Sequence, residues 1–198
     1  MSERPGLLFV RSSARCTGLE RRMLWIAEAA REAGLAPHIA ILYRGRGEHP
    51  LLALAARRGL PATQIVDPAP AAPAPLLALR ALIRRLQPAI VHSQDYRSDL
   101  LTWRIGGPAR RLATCHGHTA ATPALRLYEA LDRRVLRAFD RVIGVSDYQY
   151  RQLLQWGLTP AQATHIPHFI EPGWDEGLPA ASRADERRRW GLTPDDFA

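Results

Sequence analysis

The chain contains no lysine and no asparagine among its 198 residues, so all 27 of its basic groups are arginines. Both missing residues are written by codons made largely of A and T. A GC-rich genome accounts for that bias, and arginine abundance by itself says little about function. Cysteine is scarce: Cys16 and Cys115 are the only two, with no C-x-x-C spacing. That sets aside a thiolate metal site and a disulfide framework, and it suits a reducing cytosol. No run of 18 apolar residues occurs, so no segment reads as a membrane-spanning helix. The opening M-S-E-R-P has no apolar signal core, and a cytoplasmic location is expected. Aromatic–basic interleaving of the kind single-strand binders use is also missing, and the arginines are dispersed. No nucleic-acid partner is therefore expected. The net charge of +8 still permits attraction to anionic lipid or phosphorylated substrates.

With 46% hydrophobic residues, the length allows one or two domains with a real core. Apolar runs and helical spacings alternate along it. Leu7–Val10 reads as a strand. From Leu19, apolar residues recur at helical spacing up to Gly34, a favourable C-terminal cap. His38–Tyr43, Pro50–Arg58 and Thr63–Val66 follow as strand, helix and strand. Asp67–Pro75 is a stiff proline-rich connection, and Leu76–Leu86 is the next helix. Strands at 89–92 and 112–115 enclose a helix at Tyr96–Ile105. Then come a helix at Ala124–Phe139, a strand at Arg141–Val145, a helix at Asp147–Trp156, a short strand at Thr164–Pro167 and a charged helix at Arg183–Trp190. About seven strands alternating with helices, without internal repeats, predict an α/β fold with a parallel sheet.

The stretch from Pro88 to Gly117 organises the rest. Its two short strands each end in a histidine, His92 and His116, and the helix between them makes a βαβ unit with parallel strands. Ligands of open parallel sheets bind outside the carboxyl ends of the strands. Both histidines are therefore expected at the functional edge, although a strand-end histidine is more often an ordinary surface or hydrogen-bonding group. His92, His116 and His118, with Asp95, would also suit a metal hydrolase, but no metal motif arranges the further carboxylates such a site needs. The junction T-G-L-E after the first strand either brings backbone close to a phosphate at a helix N-terminus or simply permits a tight turn. Cys16 and Cys115, both expected at strand ends, are either neighbours or two unremarkable buried thiols. In Leu76–Leu86, one face carries Leu76, Leu79, Leu82, Ile83 and Leu86, away from Arg80, Arg84 and Arg85. Such a helix rests on an anionic membrane or covers a sheet.

Five segments come in order: T-G-L-E-R-R-M-L, P-A-I-V-H-S-Q-D-Y-R-S-D-L-L, T-C-H-G, Y-E-A-L-D-R-R-V-L-R-A-F-D-R-V-I-G-V-S and I-P-H-F-I-E. Together they resemble the N-terminal domain of family 4 glycosyltransferases over about residues 5 to 175. The resemblance implies a Rossmann-like parallel sheet flanked by helices, one half of a GT-B fold, over residues 1–175. Residues 176–198 would then lead towards a donor-binding domain that this chain lacks. It further implies transfer from a nucleotide sugar to a glycan or lipid-linked acceptor, with retention and without a metal or other cofactor. Thr17, Gly18 and Glu20 match the loop that faces the donor diphosphate and acceptor. His116 matches the histidine that contacts the donor sugar and is the implied catalytic residue. His92, Asp95, Tyr96, Arg97, Gly117, Ser146 and Arg151 match acceptor-side positions. The family's P-N-G-x-D is here Pro167–His168–Phe169–Ile170–Glu171. Gly18, Glu20, His92 and His116 are expected to line one cleft. A separately encoded donor domain is an implied partner, and a peripheral contact with the inner face of the membrane is admitted. A non-catalytic acceptor-binding module, or a truncated gene product, is the alternative reading.

Overall fold

The structure, a computed structural model, describes residues 4–69, 72–117, 122–169, 180–193 and 196. The chain divides into two compact units, residues 1–168 and 169–198. The expected division after residue 175 falls among residues 170–179, outside the described ones.

The first unit is built on seven parallel strands in the order β3-β2-β1-β4-β5-β6-β7. The strands are β1 (Gly6–Ser12), β2 (Ala36–Tyr43), β3 (Ala62–Val66), β4 (Ile90–Ser93), β5 (Arg110–Cys115), β6 (Arg141–Gly144) and β7 (Ala163–His165). Six helices connect or follow them: α1 (Gly18–Glu32), α2 (Pro50–Arg57), α3 (Ala74–Leu86), α4 (Tyr96–Ile105), α5 (Pro123–Leu136) and α6 (Asp147–Gln155). A seventh, α7 (Ala180–Arg189), lies in the second unit.

The strands form where they do because both faces of the sheet are covered. Successive residues of a strand point to opposite faces. Leu7 and Phe9 of β1 thus pack with Met23, Leu24 and Ala27 of α1 and Leu51 of α2. Leu8 and Val10 pack on the other face with Leu79 and Leu82 of α3 and Leu101 of α4. Continuous apolar runs, rather than alternation, are the signature of such a sheet. Beyond β4, Ala113 and Val142 form a third cluster with Val135 and Leu136 of α5 and Leu153 of α6. Cys16 packs against the first cluster and Cys115 belongs to the third, and both are free thiols.

The apolar stripe of α3 is consumed by the sheet. Leu79 and Leu82 are buried in the core, with Leu76, Ile83 and Leu86 packed beside them. Of the two readings of this stripe, the packing is that of a helix covering a sheet. Pro75 sits in the first turn of α3, where its missing N–H costs nothing.

Strand order reverses between β1 and β4. Their connections leave the sheet in opposite directions, and the crevice this opens at the carboxyl ends is where open α/β sheets place ligands.

Candidate functional site

Two clefts lie at that crevice. One, of about 310 Å³, is bounded by Ser12, Ala14, Leu42, Arg44, Leu100 and the rings of Tyr96 and Tyr128. The other, of about 170 Å³, is lined by Arg11, Asp95, Asp99, His116, Gly117 and Asp132 among others. Tyr96 belongs to both, and its ring stacks on Tyr128 at 6.0 Å between centroids.

The wall under the clefts is a chain of committed polar contacts. Arg11, at the end of β1 and 8% exposed, donates to Glu20 Oε1 at 2.5 Å and to the Gln94 carbonyl at 3.0 Å. Glu20 receives the Thr17 backbone N–H at 2.7 Å and the Thr17 hydroxyl at 2.5 Å on its other oxygen. Burial opposes ionisation of Glu20, but the Thr17 and Arg11 hydrogen bonds outweigh it and hold the carboxyl at about 2. Glu20 is fully enclosed and lines neither cleft; it fixes the first turn of α1. The spacing Thr17-x-x-Glu20 is that of a capping box, a sequence signal for this structural role. Gly18 is different: nothing lies within 4 Å of where a Cβ would stand, so the backbone at the start of α1 is open.

Asp95 is the N-cap of α4. It accepts from Arg97 N and Ser98 N, each at 3.0 Å, and reaches back to Ser12 N at 2.8 Å, tying the loop after β1 to α4. Burial raises its pKa. Arg97 is bound to Asp67, beyond the end of β3, at 2.9 Å. Ser146 caps α6, accepting from Gln149 N at 3.2 Å, and exposed Arg151 pairs with Asp147 at 2.7 Å along the same helix. Neither Ser146 nor Arg151 lines a cleft. Gly117 sits at φ +104°, and a side chain there would meet Gln149 Nε2 at 2.7 Å, so this position demands glycine.

The two histidines part company. His92 is not at the edge. β4 runs one residue further and is flanked by β1 and β5, where His92 faces Phe9 on one side and Leu112 on the other. It is 4% exposed, shares a hydrogen bond with the Thr114 hydroxyl at 2.7 Å, and is driven down to about 4 by burial. Of the four residues expected to share a cleft, Gly18, Glu20, His92 and His116, only His116 lines one of the two: His92 and Glu20 lie beneath the surface, and Gly18 is exposed but borders neither cleft. A central strand is covered on both sides, which two residues of a short apolar run do not reveal.

His116 does line the smaller cleft. Both of its ring nitrogens are buried with no hydrogen-bond partner among the described residues. Burial first, then the positive Arg11, the neighbouring His168 imidazole and the positive Arg22, push it down to about 3, so the imidazole is neutral at physiological pH. His168 stacks on it at 5.3 Å and 17°, and Arg22 hydrogen-bonds His168 in turn. Among the described residues, no group of three or more His, Cys, Asp or Glu side chains could hold a metal ion; His118 lies outside them.

Sequence reasoning passed over Arg11, Tyr128 and the buried pair Asp99 and Asp132. Asp99 is raised well above the ordinary carboxyl range by burial and by Asp132 beside it. The available signal was in α5, whose acids Glu129 and Asp132 stand three apart on what becomes its buried face.

A family profile described as Glycosyltransferase Family 4 matches residues 17–174. No curated protein matches the chain in sequence. Among solved structures, HepE of Anabaena in complex with UDP-glucose is similar with a TM-score of 0.65 at 12% identity, over 94% of this chain and 50% of that one. A glycosyltransferase of Rickettsia africae gives 0.67 at 16% identity, over 98% and 51% of the two chains. Sucrose-phosphate synthase of Thermosynechococcus elongatus gives 0.66 at 17%, over 98% and 54%. The chain thus spans about half the length of these relatives, and at such identities the likeness establishes the Rossmann-like half of a GT-B fold. The profile covers most of the chain, from the cap of α1 past the last strand, and on that ground the chain belongs to glycosyltransferase family 4.

Proposed function

We propose that this chain is the acceptor-side half of a glycosyltransferase. It would pass a sugar from a nucleotide-sugar donor to a glycan or lipid-linked acceptor, with retention at the anomeric carbon. A second Rossmann-like domain, joined to it or separately encoded, would hold most of the nucleotide. The observation that carries this reading is His116: a neutral imidazole at the carboxyl end of β5, both nitrogens without a partner among the described residues, beside a cleft at the switch point.

A neutral imidazole donates through one nitrogen and accepts through the other. It can therefore orient a sugar hydroxyl while the anomeric carbon meets the acceptor. The open backbone at Gly18 lets a phosphate approach the first turn of α1, where unpaired N–H groups favour an anion. Arg22, one turn further on, adds positive charge, so a metal-independent departure of the diphosphate is the natural reading. HepE was solved with UDP-glucose, which favours a uridine-linked donor. The stacked Tyr96 and Tyr128 at the mouth of the larger cleft offer a flat surface to an acceptor ring.

One observation favours a second reading, a module that holds an acceptor without transferring to it: His168 lies on His116 and shields it. A screen of UDP-sugars against saccharide and lipid-linked acceptors decides between the two. It is run on this chain alone and with a family donor-binding domain fused or added. Product is expected only with the added domain. Acceptor binding without product under every pairing would favour the holding module.

A further inference from the structure

The smaller cleft holds polar groups to which the family resemblance gives no role. Its lining includes Gln94, the residue after β4, with Asp99 of α4 and Asp132 of α5. They are 3%, 3% and 5% exposed, so each has left water for this site. Asp99 donates a hydrogen bond to Asp132, and the Ser93 hydroxyl donates to Asp99 Oδ1. A hydrogen bond between two carboxyls needs a proton on one of them, and two buried carboxylates in contact do not both ionise. The pair therefore keeps one proton, on Asp99, and one negative charge, on Asp132. A carboxylate oxygen takes more than one hydrogen bond, so Asp132 can also accept from a ligand. Gln94 supplies the opposite polarity. Its carboxamide nitrogen is buried with no hydrogen-bond partner among the described residues. A buried donor in that state is costly, and it points to a group that completes it. The two ring nitrogens of His116, in the same lining, are in the same condition.

We propose that the smaller cleft selects a neutral sugar ring by its hydroxyl groups, Gln94 donating to one hydroxyl oxygen and the Asp99–Asp132 pair accepting from a neighbouring hydroxyl. A hydroxyl both donates and accepts, so adjacent hydroxyls of one ring satisfy an amide and a carboxylate together. The cleft measures about 170 Å³. That is below the roughly 300 Å³ at which sites for drug-sized molecules begin, and it suits a single ring. A uronic acid or a phosphorylated sugar would set a second negative charge against the pair in a site of low dielectric. Arg11 in the same lining offers an anion little compensation, because Glu20 already neutralises it. The place of this selection in transfer rests on the reading above: the ring so held is the one that His116 orients.

The experiment is a titration of the full chain, isotope-labelled, with glucose, galactose and glucuronate, followed by nuclear magnetic resonance. The signals read are the side-chain amide of Gln94, assigned by its loss in Gln94→Met, and the ring of His116. At least one of the two hexoses is expected to shift both signals saturably, with glucuronate binding about ten-fold more weakly or worse. Gln94→Met, read on the His116 ring, should weaken the hexose by about ten-fold. Asp132→Asn removes the negative charge of the pair, so it should weaken the hexose and narrow the gap between hexose and glucuronate. A mere loosening of α4 against α5 would weaken both sugars alike. Melting temperatures certify the folds, and Gln94→Met, which leaves the acid pair intact, decides if Asp132→Asn does not fold. No saturable shift with either hexose overturns the proposal. So does glucuronate binding as tightly as the hexoses, or a gap that Asp132→Asn leaves unchanged. The titration involves no transfer: the expected selectivity without product in the screen above would support this proposal and count only against the proposed reaction.

Discussion

Arg11 and Glu20 are each buried and, among the described residues, pair with each other at 2.5 Å. Removing one side of a buried pair leaves the other charge stranded, which typically costs about 3–5 kcal/mol. Glu20→Ala is expected to lose stability on that scale in urea denaturation. Because the folded carboxyl sits at about 2, below its ordinary 4.5, its contribution is complete above pH 4.5 and disappears as pH falls through 2. The histidines act in the same direction at higher pH. His92 at about 4 and His116 at about 3 are both depressed from 6.5. The unfolded chain therefore binds more protons below pH 6.5, and stability falls as acid is added. For His92 alone the shift is worth about 3 kcal/mol. His92→Gln, which can still hydrogen-bond Thr114, should flatten the denaturation midpoint between pH 6.5 and 4. An unchanged acid slope would mean that His92 is not protected in the native state.

At the scale of elements, glycine separates structure from chemistry. In β6, a Cβ on Gly144 would stand 2.7 Å from Tyr150 N and 3.1 Å from the Gln149 carbonyl carbon, both backbone atoms of α6 that cannot yield. Gly144→Ala should cost about 1–3 kcal/mol as overpacking does. Gly18→Ala meets nothing, so its melting temperature should move little, by less than about 1 kcal/mol in stability. If backbone at Gly18 meets the donor phosphate, the same change should still depress transfer in a completed enzyme. Equal effects of both changes on melting would contradict this assignment. The elements themselves were legible because the period of apolar residues distinguishes them. Runs such as Leu7–Val10 need cover on both faces, and the spacing from Leu19 to Ala30 needs it on one. α4 was expected at Tyr96–Ile105 and is found there. Which strands are central is written in contacts far apart in sequence, so the burial of His92 was not legible. α3 and α5 show the same limit from the other side. The stripe of α3 looked available to a membrane and is core. α5 instead buries two acids, Glu129 and Asp132, and exposes two leucines, Leu127 and Leu131.

Over the whole molecule, the sheet order brings together groups that the sequence scatters: Arg11 after the first apolar run, Asp95 and Tyr96 after the fourth strand, His116 after the fifth. The strand-end position of His116 was readable beforehand, from an apolar run ending in T-C-H-G. Its cover by His168 was not, since more than fifty residues separate them and only the return of β7 beside β6 brings the turn back. The measurement that bears most directly on the central claim is steady-state transfer by this chain completed with a donor-binding domain, wild type against His116→Ala, with the product's anomeric configuration read by nuclear magnetic resonance. The account predicts a retained configuration and a turnover number lowered by about 10²-fold or more, with the melting temperature unchanged, as loss of a transition-state contact requires. Turnover in His116→Ala equal to wild type would contradict it.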